Sequence, residues 1–148
     1  MRVAVDLDAL GDTRPLWRDW LEDIARVLDV DGLPADRAAA AAALDDRGSG
    51  NWRTLLERFA EDRAPVYLRP AAEVSAALRR LQAAGAQVGV FTDAPAELAR
   101  VALVQLGAAR RVDVVEAGEG ARERLLAALG ADAVVVRTRT ELVTLDSR

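Results

Sequence analysis

Three short apolar runs punctuate this chain, Val3-Ala4-Val5, Val88-Gly89-Val90-Phe91 and Val134-Val135-Val136, together with a valine-rich segment from Val112 to Val115 that holds one acid, Asp113. Runs of this length, bounded by turn residues, read as strands buried on both faces. They predict strands over residues 3–7, 87–91, 112–115 and 133–136. Between the later runs lie helix-length segments at 70–84, 95–106 and 121–129, closed by Gly85, Gly107 and Gly130; a glycine just past the last turn is a common helix stop. Strand alternating with helix implies a parallel sheet with right-handed crossovers. The stretch from 14 to 66 is too long for one crossover. Its periodicity predicts helices at 16–28, from Pro34-Ala35-Asp36 to 44, and at 52–62. The expected architecture is therefore a three-layer α/β core from residues 1–13 and 67–148, with a small α-helical cap at 14–66 inserted after the first strand. The last dozen residues are expected to add a turn of helix or a short fifth strand.

Composition narrows the chemistry. At 51% hydrophobic and 30% charged, the chain has the balance of an ordinary globular protein. The net charge of −4, without a basic stripe, argues against a nucleic-acid partner or an anionic membrane surface. No apolar run reaches the length of a membrane span, and Asp6 and Asp8 interrupt the only apolar segment near the N-terminus, so a cytoplasmic protein is expected. The chain has no cysteine and no histidine, which excludes thiolate nucleophiles, zinc–thiolate centres, histidine acid–base catalysis and Ser-His-Asp triads. It also has no lysine: all 20 basic residues are arginine, which removes Schiff-base chemistry.

The candidate chemistry lies in Asp6-Leu7-Asp8, two carboxylates at the end of the first strand. Strand alternation would put Asp6 and Asp8 on one side of the chain. In an open parallel α/β sheet, ligands bind outside the carboxyl ends of the strands. Thr92 and Asp93 close the second predicted strand in the same way, although Thr92-Asp93 also suits a helix N-cap before Pro95. Trp17, Trp20 and Trp52 are expected to pack the cap helices together, the alternative being that Trp17 or Trp20 faces a pocket. Gly48-Ser49-Gly50 is expected to be a turn, since it lacks the remaining residues of a phosphate-binding P-loop.

In Asp6-Leu7-Asp8, in Thr92 at the end of the second strand, and in the intervening helical block, the chain resembles the haloacid dehalogenase superfamily of phosphohydrolases. Tyr67-Leu68-Arg69-Pro70, followed by a helix and Gly85, is also similar to that family. The resemblance spans nearly the whole chain and implies a Rossmann-like core. It implies that Asp6 attacks phosphorus and that Asp8 acts as general acid and base. It further implies that Thr92 and neighbouring N–H groups, with Asp93 nearby, hold the phosphoryl oxygens, and that Mg2+ lies between Asp6, the Asp8 carbonyl and an acid after the fourth strand. A lysine would neutralise the charge.

Three departures shape the functional expectation. Ala9-Leu10 stands where the family usually has Gly-Thr, although Asp12-Thr13 resembles the Asp-Thr often found further along. The lysine has no counterpart, leaving Arg122 or Arg124 to supply charge, and arginine is no conservative replacement. The segment after the fourth strand reads Val136-Arg137-Thr138-Arg139-Thr140-Glu141, with two arginines where acids are expected. Arg137 and Arg139 read either as a solvated strand end or as a site for an anion bound without metal. The expected function is a degenerate family member with weak or no phosphatase activity and a retained binding or regulatory role. The alternative is an active Mg2+-dependent phosphatase working through an aspartyl-phosphate. The expected ligand is a small phosphorylated metabolite or another anion, and the cap offers a surface for a protein partner or a second copy.

Overall fold

In a computed structural model, which describes residues 1–146, four parallel strands form a single sheet in the order β3-β2-β1-β4. They are β1 (Arg2–Asp6), β2 (Gln87–Thr92), β3 (Val114–Ala117) and β4 (Val134–Val136). Val5 sits opposite Val90 on one side and Val136 on the other. Eight helices surround the sheet: α1 (Leu7–Leu10), α2 (Arg14–Val27), α3 (Arg37–Asp46), α4 (Trp52–Tyr67), α5 (Ala72–Ala83), α6 (Ala96–Gln105), α7 (Ala121–Leu129) and α8 (Arg139–Thr144). This is the Rossmann-like three-layer α/β arrangement that the alternation predicts.

Period-two alternation divides the sheet into two faces. Val3, Val5, Val88 and Val90 pack with Val74, Leu78 and Leu81 of α5, with Ala99, Ala102 and Leu103 of α6, and with Leu142 of α8. Ala4 and Phe91 pack with Ala121, Leu125 and Leu129 of α7 on the opposite face. Gly89 belongs to that second face, and a Cβ there would lie 2.5 Å from Leu125 Cδ1. The missing side chain lets α7 settle onto the strand, and α7 in turn places the loop that precedes it.

The helical block after β1 holds α2, α3 and α4. Leu16, Trp17, Trp20 and Ile24 of α2 pack with Ala40 and Leu44 of α3 and with Trp52, Leu56 and Ala60 of α4. Ala94 and Leu98, from the start of the α6 segment, join the same cluster. The ring centroids of Trp17 and Trp20 are 5.1 Å apart and those of Trp20 and Trp52 are 5.9 Å apart, both tilted. These tilted pairs supply bulk that the alanines of α3 lack.

Three local expectations are corrected. The chain leaves the strand at Asp6 and turns at once into α1, so strand alternation is not what brings Asp8 beside Asp6. Instead Asp6 caps α1, its Oδ1 accepting the Asp8 N–H at 3.0 Å. Helix α4 does not stop near residue 62 but runs through Pro65 to Tyr67. Ala60 and Ala64, both buried, hold its final turns, and a proline in a last turn forfeits only one backbone bond. The final segment forms helix α8 rather than a fifth strand. Its start is capped by Thr138, whose Oγ1 accepts the Glu141 N–H.

Candidate functional site

The carboxyl ends of β1 and β2, the loop from β3 to α7, and the faces of α2 and α3 enclose one cleft of about 930 Å³. Among its lining residues are Asp6, Asp8, Thr92, Asp93 and Arg122. These are the five site residues expected from the sequence, and the fold brings all of them to one place. A cleft outside the carboxyl ends of parallel strands is where α/β sheets bind ligands.

The central charge of the site belongs to a residue that sequence reasoning passed over. Arg37, the first residue of α3, is only 7% exposed. Its Nε donates to Asp93 Oδ1 at 2.7 Å, and its Nη2 donates to Asp8 Oδ2 at 3.1 Å. Its Nη1 donates to Thr13 Oγ1 at 2.6 Å, and Nη2 also reaches Thr92 Oγ1 at 3.4 Å. One planar guanidinium thus ties together the β1 end, the β2 end and the α2 N-terminus. Only arginine has a donor fork that can do so. The one local signal was a lone arginine following the helix-capping Asp36 and preceding an unbroken run of alanines.

Asp8 is fully engaged. Its Oδ1 accepts from the Thr13 N–H at 3.0 Å and from the Thr13 hydroxyl at 2.7 Å, while Oδ2 accepts from Arg37. Thr13 is completely buried, so the Asp12-Thr13 pair noted in the sequence contributes a structural threonine beside Asp8. Thr92 is 2% exposed, and its Oγ1 also accepts the Ala94 N–H at 3.2 Å. Asp6 differs from Asp8: among the described residues its Oδ2 has no hydrogen bond. Burial pushes the Asp6 carboxyl above its ordinary value, and the nearby Asp8 charge adds to this; the Asp8 N–H and the Arg37 charge oppose it.

The two arginines offered in place of a lysine separate. Arg124 is used within its own loop. It donates to Glu116 Oε2 at 3.1 Å, to the Ala117 carbonyl at 2.6 Å and to the Glu119 carbonyl. Arg122 lines the cleft, and its buried Nε has no hydrogen-bond partner among the described residues. At the strand ends Arg37 is shared between Asp8 and Asp93, so Arg122 is the cleft arginine whose buried Nε is left without a partner. The exposed acids Glu22, Glu119 and Glu123 stand at the rim.

The segment after β4 takes no part in the cleft. Glu141 turns back to accept the Arg137 N–H at 3.0 Å, and Arg139 lies 3.7 Å from Glu73 of α5. Of the two readings of Arg137 and Arg139, the structure gives the solvated strand end. Among the described residues no group of three acidic side chains is placed to hold a metal ion. With Glu141 turned back to the Arg137 N–H and no other acid after β4 facing the cleft among the described residues, the side chains as arranged lack the third group that the resemblance implies for Mg2+.

Comparison with protein-family models and with curated proteins finds no match to this chain. No helix among the described residues is long and apolar enough to cross a membrane.

Proposed function

We propose that the chain is a haloacid-dehalogenase-like protein whose cleft binds a small anionic metabolite with weak or no phosphatase turnover. The observation that carries this reading is the Arg37 guanidinium, bonded to Asp8, Asp93, Thr13 and Thr92. A general acid must offer a proton to the leaving oxygen. Here every hydrogen bond to the Asp8 side chain uses it as an acceptor, and Arg37 holds Oδ2 against the protein. Thr92, the expected phosphate ligand, is shared between Arg37 and the Ala94 N–H. Arg122, with its unpartnered Nε at the wall of the cleft, supports the anion. Guanidinium binds carboxylate and phosphate through paired N–H donors without needing a metal.

A second reading has one specific observation behind it. Arg37 brings a fixed positive charge to the site of a chain that has no lysine. In an active phosphatase it would be the stabilising cation, with Asp6 as the nucleophile whose second oxygen is free of hydrogen bonds. Mg2+-dependent phosphate release from a panel of small phosphoesters separates the two, measured on wild type, Asp6→Asn and Arg37→Met at high protein concentration. Equal background rates in all three support the binding protein. Turnover that needs Mg2+ and disappears in both variants overturns it in favour of the enzyme.

A further inference from the structure

Three tryptophans pack the helical block, and their indole N–H groups are treated differently. Trp52 Nε1 donates to Asp45 Oδ1 at 2.9 Å. Trp17 is 3% exposed, lines the cleft, and its buried Nε1 has no hydrogen-bond partner among the described residues. Buried tryptophans usually find a partner for this donor, because an unmade bond in a buried setting carries the full desolvation penalty. Leu21 and Leu33, which pack against the Trp17 cluster, line the same cleft, as does Phe91 from the end of β2. The second orphaned donor of the cleft is Arg122 Nε. Two residues of the cleft lining therefore hold buried N–H donors without partners, beside apolar lining residues.

We propose that the Trp17 indole N–H is the group that reads the ligand's uncharged part, donating to an acceptor oxygen carried on a short apolar body. The body rests on Leu21, Leu33 and Phe91, and the anionic end lies toward Arg122. The ligand class is thus a small organic phosphate or carboxylate bearing a hydroxyl or carbonyl away from its charge. For the anionic end, this rests on the reading of the cleft given above. A site built to hydrogen-bond a ligand group rejects the analogue lacking it, because the protein donor is then left unpaired.

The test pairs alkyl phosphates, from ethyl to hexyl, with their terminally hydroxylated counterparts. Binding is measured by calorimetry and by the ¹⁵N–¹H resonance of the Trp17 indole, assigned by its loss in Trp17→Phe. At the matching chain length the hydroxylated ligand is expected to bind about tenfold tighter than its alkyl partner. The Trp17 indole proton is expected to move downfield. In Trp17→Phe the two ligands should bind alike, with the variant keeping its folded spectrum. A preference that survives Trp17→Phe, or binding that leaves the indole resonance unmoved, overturns the assignment. If no phosphate binds at all, the anion reading fails by itself. Cyclohexanone, a neutral apolar ring with one acceptor, then decides the Trp17 assignment, which falls if the ketone does not shift that resonance.

Discussion

Replacing Arg37 by methionine should destabilise the protein far more than loss of a single surface charge. Removing one partner of a buried ion pair costs about 3–5 kcal/mol, because the other partner is left buried and unpaired. Two features of this site reduce the figure. The Asp93 side chain is 46% exposed and regains water when the guanidinium leaves. Asp8, at 18%, does not, but it keeps both bonds from Thr13. Thr13 and Thr92 lose the donor that Arg37 supplied, and methionine fills most of the vacated stem. The expected loss is about 2–4 kcal/mol, or a fall in Tm of roughly 6–12 °C for a chain of this size. Arg37→Lys keeps the charge but loses the fork and should fall between wild type and the methionine variant. Arg100→Ala is the matched control: its partner Glu57 lies 2.6 Å away, but the two side chains are 59% and 37% exposed, so about 0–1 kcal/mol is expected. Thermal denaturation of the four proteins at one pH provides the measurement. A methionine variant melting within about 2 °C of wild type would refute the claim that Arg37 ties the site together.

Two further outcomes follow from the fold and the site. Burial pushes the Asp6 carboxyl above its ordinary value of 3.8, so the native state holds that proton to higher pH than the unfolded chain. The stability this gives is complete below pH 3.8 and is lost as pH rises through the native value; Asp6→Asn, which keeps an acceptor for the Asp8 N–H, should outlast wild type in thermal melts at neutral pH and lose that advantage in acid. A gain independent of pH would refute the cause. Gly89→Ala would set a methyl 2.5 Å from Leu125 Cδ1 and 3.1 Å from Leu129 Cδ1. Overpacking of this kind costs about 1–3 kcal/mol; an unchanged urea midpoint would show that α7 does not sit as tightly on β2 as described.

The alternation of strand-length with helix-length segments was sufficient for the fold class, since both periodicities are local, although the third strand, Val114–Ala117, begins two residues later than expected. The sequence predicts the helix at 121–129 with its observed limits, Gly130 supplying the stop. Local reading failed at Asp8, where a tight helical turn replaced the strand, and at Pro65, where buried alanines carried α4 past a residue that usually stops a helix.

The site divides in the same way. Asp6, Asp8, Thr92, Asp93 and Arg122 were legible because each ends a strand or opens a helix at the carboxyl edge of the sheet, where topology alone gathers side chains. Arg37 was not, since its partners Thr13, Asp8, Thr92 and Asp93 lie 24 to 56 residues away in the chain. On its own helix it reads as one more solvated arginine. The sequence by itself determined which carboxylates and hydroxyls meet at the strand ends, because hydrophobic periodicity and chain reversal place them there. Only the tertiary structure decided that the charge facing them is an arginine from α3, because a buried guanidinium is set by the packing of α3 against the core, and that packing has no local signature.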